Sequence, residues 1–317
     1  MRVTTRFTLL AAAAALAVTS AAHAAPVFIN ILTGGTSGVY YPIGVGLSQI
    51  YSDGIPGSKT SVQATKASVE NLNLLQAGRG ELALALGDSV ADAKNGVEDA
   101  GFKAPLTKLR AIGGAYPNYI QIVASKESGI KTLADLKGKT ISVGAPKSGT
   151  ELNARAIFKA AGLTYEDMGK VQYLPFAESV ELIKNRQLDA TLQSSGLGMA
   201  AIRDLSSVMP LNYVSIPTEV VAKIGNPAYQ SAMIPANTYD GQPEAVPTVA
   251  ITNILVTRED VSDELAYEMT RLMFDNLTRL GNSHSAAKDI KLETAARNLP
   301  IPLHPGAERY YKEKGAL

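Results

Sequence analysis

The sequence has no cysteine and no tryptophan, only three histidines, and aromatic residues at 6% of its 317 positions. Without cysteine there is no disulfide, no thiol nucleophile, no zinc–thiolate centre and no lipid-modified N-terminal cysteine. His284 and His304 both fall in the C-terminal part, so a histidine metal site or a Ser-His-Asp triad has little to draw on. No Gly-x-Ser-x-Gly elbow occurs. An excess of one charge is lacking too: 30 basic residues face 29 acidic ones, a net +1. No basic run offers to neutralise a phosphate backbone, which argues against a nucleic-acid partner. The one sustained apolar run, Phe7 to Val18, is shorter than the ~20 residues that cross a bilayer.

That run sits in the pattern of a secretory signal. Arg2 and Arg6 precede it, and Ala22-His23-Ala24 follows with small residues flanking a cleavage point. Residues 1–24 are therefore expected to be a signal peptide cut after Ala24. Cleavage removes two arginines and no acid, leaving the mature chain at −1. A secreted chain without a lipid anchor is retained by an outer membrane, so the periplasm is the expected compartment. The mature chain is not expected to be membrane-embedded. Apolar residues at 46% and charged residues at 19% suit a packed globular protein, long enough for two domains.

Short β-type runs alternate with amphipathic stretches, the pattern of α/β lobes. Strands are expected at 27–32, 60–64 and 81–86, with helices at 39–52, 69–77 and 89–94. Leu109–Ile112 and Tyr119–Ala124 read as extended segments flanking a Gly-Gly turn. The alternation then restarts: Thr132 and Asp135 are spaced as a capping box, a strand follows at 140–143, and a helix at 151–161 ends at Gly162. Further strands are expected at 171–174 and 190–193, and helices at 179–185 and 198–205. Val249–Val256 reads as extended and Ser262–Leu280 as one long helix. Two halves imply two lobes, joined where the chain crosses near 116–124 and 248–256.

Each half opens with a similar loop between a strand and a helix: Thr33-Gly34-Gly35-Thr36-Ser37-Gly38, and Gly144-Ala145-Pro146-Lys147-Ser148-Gly149-Thr150. The first turn of a helix leaves N–H groups unpaired and its dipole favours negative charge. Glycine admits a close approach to the backbone, and hydroxyls add donors without charge. Each loop is thus a candidate anion cradle, at the carboxyl end of a strand where ligands of open α/β sheets bind. Plainer roles stand beside this: Ser148 with Glu151 fits a capping box, and Thr36 or Ser37 fits an N-cap. The second loop is not a P-loop, since Thr150 stands where lysine would follow the glycine. Ser68 and Asn71 start one helix. Asp88 either caps the next helix or pairs with a ligand ammonium. Tyr116 and Tyr119 lie near a crossing, and Gln193 and Ser194 end a strand.

The run Leu32-Thr-Gly-Gly-Thr-Ser-Gly-Val-Tyr-Tyr-Pro-Ile-Gly44 resembles the opening signature of the TAXI family, solute receptors of one class of tripartite ATP-independent periplasmic (TRAP) transporters. Leu136-Lys-Gly-Lys139, Ser142-Val-Gly-Ala-Pro-Lys-Ser-Gly-Thr-Glu151, Ile234-Pro-Ala-Asn-Thr-Tyr-Asp-Gly-Gln242 and Val246-Pro-Thr-Val-Ala-Ile-Thr-Asn253 continue the likeness in order.

The resemblance implies an α/β, two-lobed periplasmic-binding-protein fold of type II, with a ligand cleft between lobes and two hinge crossings. Residues 25–117 and 249–317 would form lobe 1, and 118–248 lobe 2. It implies a receptor without catalytic activity, cofactor or metal. The receptor would take a small acidic metabolite, such as glutamate or 2-oxoglutarate, and deliver it to integral-membrane TRAP permease subunits driven by an ion gradient. Thr36, Ser37, Gly38, Tyr40, Ser148, Gly149 and Thr150 inherit a ligand-binding role from the signature loops. Ser68, Asp88, Tyr116 and Gln193 join them by position. Lys147, where relatives are expected to carry a small residue, is a further ligand-binding candidate that either adds charge attraction or points to solvent. A rival assignment is an anion receptor of an ATP-driven importer.

Overall fold

The computed structural model describes residues 26–317, so the expected signal peptide lies outside the described residues. The first half begins β1 (Val27–Leu32), α1 (Tyr40–Gly54), β2 (Ser58–Gln63), α2 (Ser68–Gln76), β3 (Leu82–Leu86) and α3 (Gly87–Asn95). A 17-residue strand, β4 (Leu109–Ser125), leads out of it. The second half contains β5 (Thr140–Ser142), α4 (Gly149–Ala160), β6 (Lys170–Gln172), α5 (Phe176–Lys184), β7 (Ala190–Ser195) and α6 (Ala200–Val208). It ends with β8 (Leu211–Val214), α7 (Thr218–Ile224) and β9 (Gln230–Ile234). The chain returns along β10 (Val246–Arg258) to α8 (Asp263–Asp275), α9 (Leu277–Ser283), α10 (Leu292–Ala295) and α11 (Pro305–Glu313).

The strands run β2-β1-β3-β10-β4-β7-β5-β6, with β8 also on β4 and β9 also on β10. In the first lobe β1 lies parallel between β2 and β3; in the second, β5 lies parallel between β6 and β7. The two long strands serve both lobes. The Leu109 end of β4 pairs with the Arg258 end of β10, and its Tyr119–Ala124 part pairs with β7. Tyr119 marks the change of partner, facing Ala250 on one side and Ser195 on the other. One apolar cluster under β5, β7 and α4 fills the second lobe, and another under β3, α2 and α3 fills part of the first.

Two expectations fail for identifiable reasons. Gly113 and Gly114 do not turn the chain; they lie inside β4. The Tyr311 hydroxyl, which donates to Ile112 O at 3.0 Å, occupies the space a Gly113 side chain would need, and Ala295 O comes within 3.4 Å of it. Glycine is there for close approach. The expected helix over 262–280 breaks at Asn276, whose φ is −123° and whose side-chain amide donates to Leu272 O at 2.8 Å. A short polar side chain bonding the preceding turn competes with helix continuation.

Candidate functional site

A cavity of about 160 Å³ lies between the lobes. The first lobe contributes Gly34, Gly35 and Gly38 of the loop after β1, Tyr40, and the 65–68 segment that enters α2. The second contributes Ala145, Ser148 and Thr150 at the start of α4, Pro175 and Phe176 at the start of α5, and Ser194 and Ser195 at the end of β7. Asn118 lines it from β4 where the lobes join. Helices α1 and α4 both begin at this cavity, so two sets of first-turn N–H groups and two positive dipole ends converge on it.

The lobes are shut. Val39 N donates to Ser195 Oγ at 3.2 Å, and Ala201 N donates to Ser37 O at 3.2 Å, each bond joining one lobe to the other. Gly149 packs against the first lobe so closely that a Cβ there would meet Leu86 Cδ1 and Ser68 Oγ at 2.7 Å. Glycine at this position lets α4 reach the opposite lobe.

Of the residues singled out in the sequence, Gly38, Tyr40, Ser68, Ser148, Thr150 and Ser194 line the cavity. Ser148 also serves as the N-cap of α4, accepting from Glu151 N at 3.2 Å. The Glu151 carboxylate turns away, accepting from Arg155 Nε at 2.5 Å and from the Tyr165 hydroxyl at 3.1 Å. The Ser68 hydroxyl accepts from Leu86 N at 3.1 Å. Burial pushes the Tyr40 hydroxyl well above the usual phenol range, so it stays a neutral donor.

The other candidates lie off the lining. Thr36 is exposed and Ser37 half-buried. Lys147 is exposed with φ +53°, and its stem approaches Gly101 in the first lobe. Tyr116 is fully buried, its hydroxyl without a partner among the described residues. Gln193 is fully buried, its Nε2 3.5 Å from Phe176 O. Asp88 is 4% exposed and bonds to Asn153 and Tyr229. Lining residues that sequence reasoning missed include Asn118, whose Nδ2 donates to Ser194 Oγ at 2.8 Å, Phe176, Ser195 and Lys66.

Lys66 is the one charged residue on the lining; its backbone N–H donates to Glu70 Oε2 at 2.6 Å, and its ammonium makes no ion pair among the described residues. Hydroxyls, one carboxamide and helix N-termini against apolar Leu86, Pro175 and Phe176 make a surface that donates hydrogen bonds to a compact acceptor-rich solute. The described residues hold no group of three or more metal-ligating side chains, and no helix among them is long and apolar enough to cross a membrane. Both histidines serve local structure. His304 Nε2 lies 2.9 Å from Val261 O, and His284 Nδ1 accepts from Ala286 N at 3.2 Å.

A family model described as the NMT1-like family matches residues 31–315. Among solved structures, one described as a periplasmic transporter is 12% identical, covers 91% of this chain and 93% of its own, and superposes at a TM-score of 0.55. The binding-protein component of an ABC phosphonate transporter from Pseudomonas aeruginosa is 12% identical over 84% of this chain and 80% of its own, at 0.52. A structure from Streptococcus mutans, described in terms of glutathione import via GshT, is 13% identical over 84% of this chain and 98% of its own, at 0.52. At such identities the likeness establishes the fold, the two-lobed α/β architecture of periplasmic binding proteins.

Proposed function

The chain belongs to the NMT1-like family, and from that premise we propose that it is a periplasmic solute-binding protein that shuts two lobes on a small organic acid and hands it to a membrane transporter. One observation carries the reading: the N-termini of α1 and α4, one from each lobe, open onto a single inter-lobe cavity lined with hydroxyls. Such a site binds an anion through donors from both sides and is completed by closure.

The lining also bears on the kind of acid. An amino acid such as glutamate needs a partner for its ammonium group, and Asp88, the carboxylate that the sequence offered for that role, spends its oxygens on Asn153, Tyr229 and Ser89 N. That favours a keto or hydroxy dicarboxylate, of which 2-oxoglutarate is the type. The TAXI-like signature over Leu32–Gly44 supports delivery to an ion-driven TRAP permease. A second reading, an anion receptor of an ATP-driven importer, draws support from the fold shared with the Pseudomonas phosphonate component.

A thermal-shift screen of the protein, refolded to strip co-purified solute, tests the proposal against 2-oxoglutarate, other dicarboxylates, glutamate, phosphate, sulfate and a phosphonate. A ligand at a hundred times its dissociation constant stabilises by about 2.7 kcal/mol. A saturable shift with a keto or hydroxy acid, absent with the inorganic anions, is the expected result. A shift with phosphate, sulfate or phosphonate alone selects the second reading. No shift with any of them rejects both. Uptake of the bound acid by cells, abolished by collapsing ion gradients and insensitive to ATP depletion, then distinguishes the permease types.

A further inference from the structure

Asp88 stands in the first turn of α3, in the first lobe, but most of its carboxylate bonds go to the second lobe. Oδ2 accepts from Asn153 Nδ2 on α4 and from the Tyr229 hydroxyl just before β9, both at 2.7 Å. Asn153 Nδ2 also reaches the Tyr229 hydroxyl at 2.8 Å, so three buried side chains, from α3, α4 and the loop before β9, form one triangle. Only Oδ1 stays within its own helix, accepting from Ser89 N at 2.7 Å. The rest of α4 lies along the same seam. Gly149 meets Ser68 and Leu86, Leu152 packs on the first-lobe cluster under α2 and α3, and Arg155 Nη1 reaches Asp99 O at 3.5 Å. The first turn of this same helix presents Ser148 and Thr150 to the cavity. One rigid helix thus carries both the solute contacts and the lobe contacts.

We infer that Asp88 is a latch between the lobes: its carboxylate holds Asn153 and Tyr229 when the lobes are shut, and so sets how firmly the solute is retained. The inference rests on the two-lobed receptor reading but not on which solute is bound.

The chemistry of the triangle couples the latch to protons. Opening the lobes takes Asn153 and Tyr229 away and returns Asp88 to water. In the shut form the groups that face it are Asp92 on its own helix, the neutral Tyr40 of α1, and the neutral donors Asn153 and Tyr229. Glu151, on α4, is turned to Arg155 and Tyr165. No cation pairs with the carboxylate among the described residues, and burial wins over its hydrogen bonds and pushes it from 3.8 up to about 6. The shut form therefore holds the proton more tightly than the open form. Closure becomes more favourable as pH falls through 6, by about tenfold between pH 7.5 and 5.

The absence of cysteine makes the test clean. Lys94→Cys on α3 and Lys159→Cys on α4, both exposed positions, give one labelling site per lobe. Single-molecule energy transfer then counts shut and open molecules in the ligand-free protein. The expected result is a shut-to-open ratio that rises about tenfold from pH 7.5 to 5 in the parent and stays flat in Asp88→Asn. Asn153→Ala with Tyr229→Phe should lower the ratio at both pH values. Equal pH dependence in Asp88→Asn and parent overturns the latch, as does an unchanged ratio in the Asn153, Tyr229 double variant. Because this readout needs no solute, a failed ligand screen with a working latch rejects the ligand class alone.

Discussion

The Tyr40 hydroxyl donates to Asn253 Oδ1 at 2.6 Å, binding the first turn of α1 to the returning strand β10. The same carboxamide donates from Nδ2 to Tyr116 O at 2.9 Å, so Asn253 fastens the cavity-lining helix to both long strands where they join the lobes. Asn253 is fully buried. Tyr40→Phe strands its Oδ1 in the interior, at a cost of about 1–3 kcal/mol. Asn253→Ala strands the Tyr40 hydroxyl and the Tyr116 carbonyl together and should cost more. Urea unfolding monitored by circular dichroism checks the order; equal midpoints for wild type and Tyr40→Phe would refute the role given to this bond.

Gly149→Ala separates lobe contact from helix stability. Alanine is the better helix former, so the second lobe should be no less stable. The added methyl must displace Leu86 or Ser68 of the opposite lobe. Overpacking of this kind costs about 1–3 kcal/mol, here charged to the shut state alone. Affinity for the solute identified by the thermal-shift screen should fall roughly 5- to 150-fold by calorimetry while the urea midpoint holds. Unchanged affinity would mean that the lobes do not meet along α4.

Local signals made much of this architecture legible in advance. Val27–Leu32 forms its strand to the residue, the Thr132 and Asp135 capping box is present, and Gly162 takes φ +74° just past α4. Each of those is decided within a few residues. What escaped is decided across the chain. Asn118 and Ser195 reach the cavity only because β4 changes partner at Tyr119, and Phe176 because α5 happens to begin at the rim. From the sequence Asp88 reads as a helix cap or a ligand partner; its bonds to Asn153 and Tyr229 span 65 and 141 residues of sequence. The segment 211–234, which holds β8, α7 and β9, carries no element in the sequence reading.

The Gly-Gly pair inside β4 carries its own test. Gly113→Ala puts a methyl where the Tyr311 hydroxyl sits. Both residues are buried and the tyrosine is held by Ile112 O, so the expected loss is about 2–3 kcal/mol. Removing the hydroxyl as well, in Gly113→Ala with Tyr311→Phe, should restore part of that loss. A double variant no better than the sum of the two single ones would show that the close approach of Ala295 O, and not Tyr311, demands glycine.

Two aspartates should give stability slopes of opposite sign with pH. Asp88 has its folded value raised by burial to about 6 from 3.8, so below pH 4 folding leaves its proton in place and above pH 6 folding must bury its charge. The penalty grows across that window to about 3 kcal/mol. Relative to wild type, Asp88→Asn should therefore gain about that much between pH 4 and 7. Asp135 is exposed and its value is lowered, first by the Lys131 and Thr132 backbone N–H groups and then by the Thr132 hydroxyl. Its contribution is present above the ordinary carboxylate value and is lost as pH falls through the lowered one. Asp135→Asn should be the less stable protein at pH 7, with the gap to wild type closing toward pH 3. Urea titrations of the three proteins at pH 3, 4 and 7 compare the slopes, and a common slope for both variants would contradict the assignment of burial to Asp88 and of capping to Asp135.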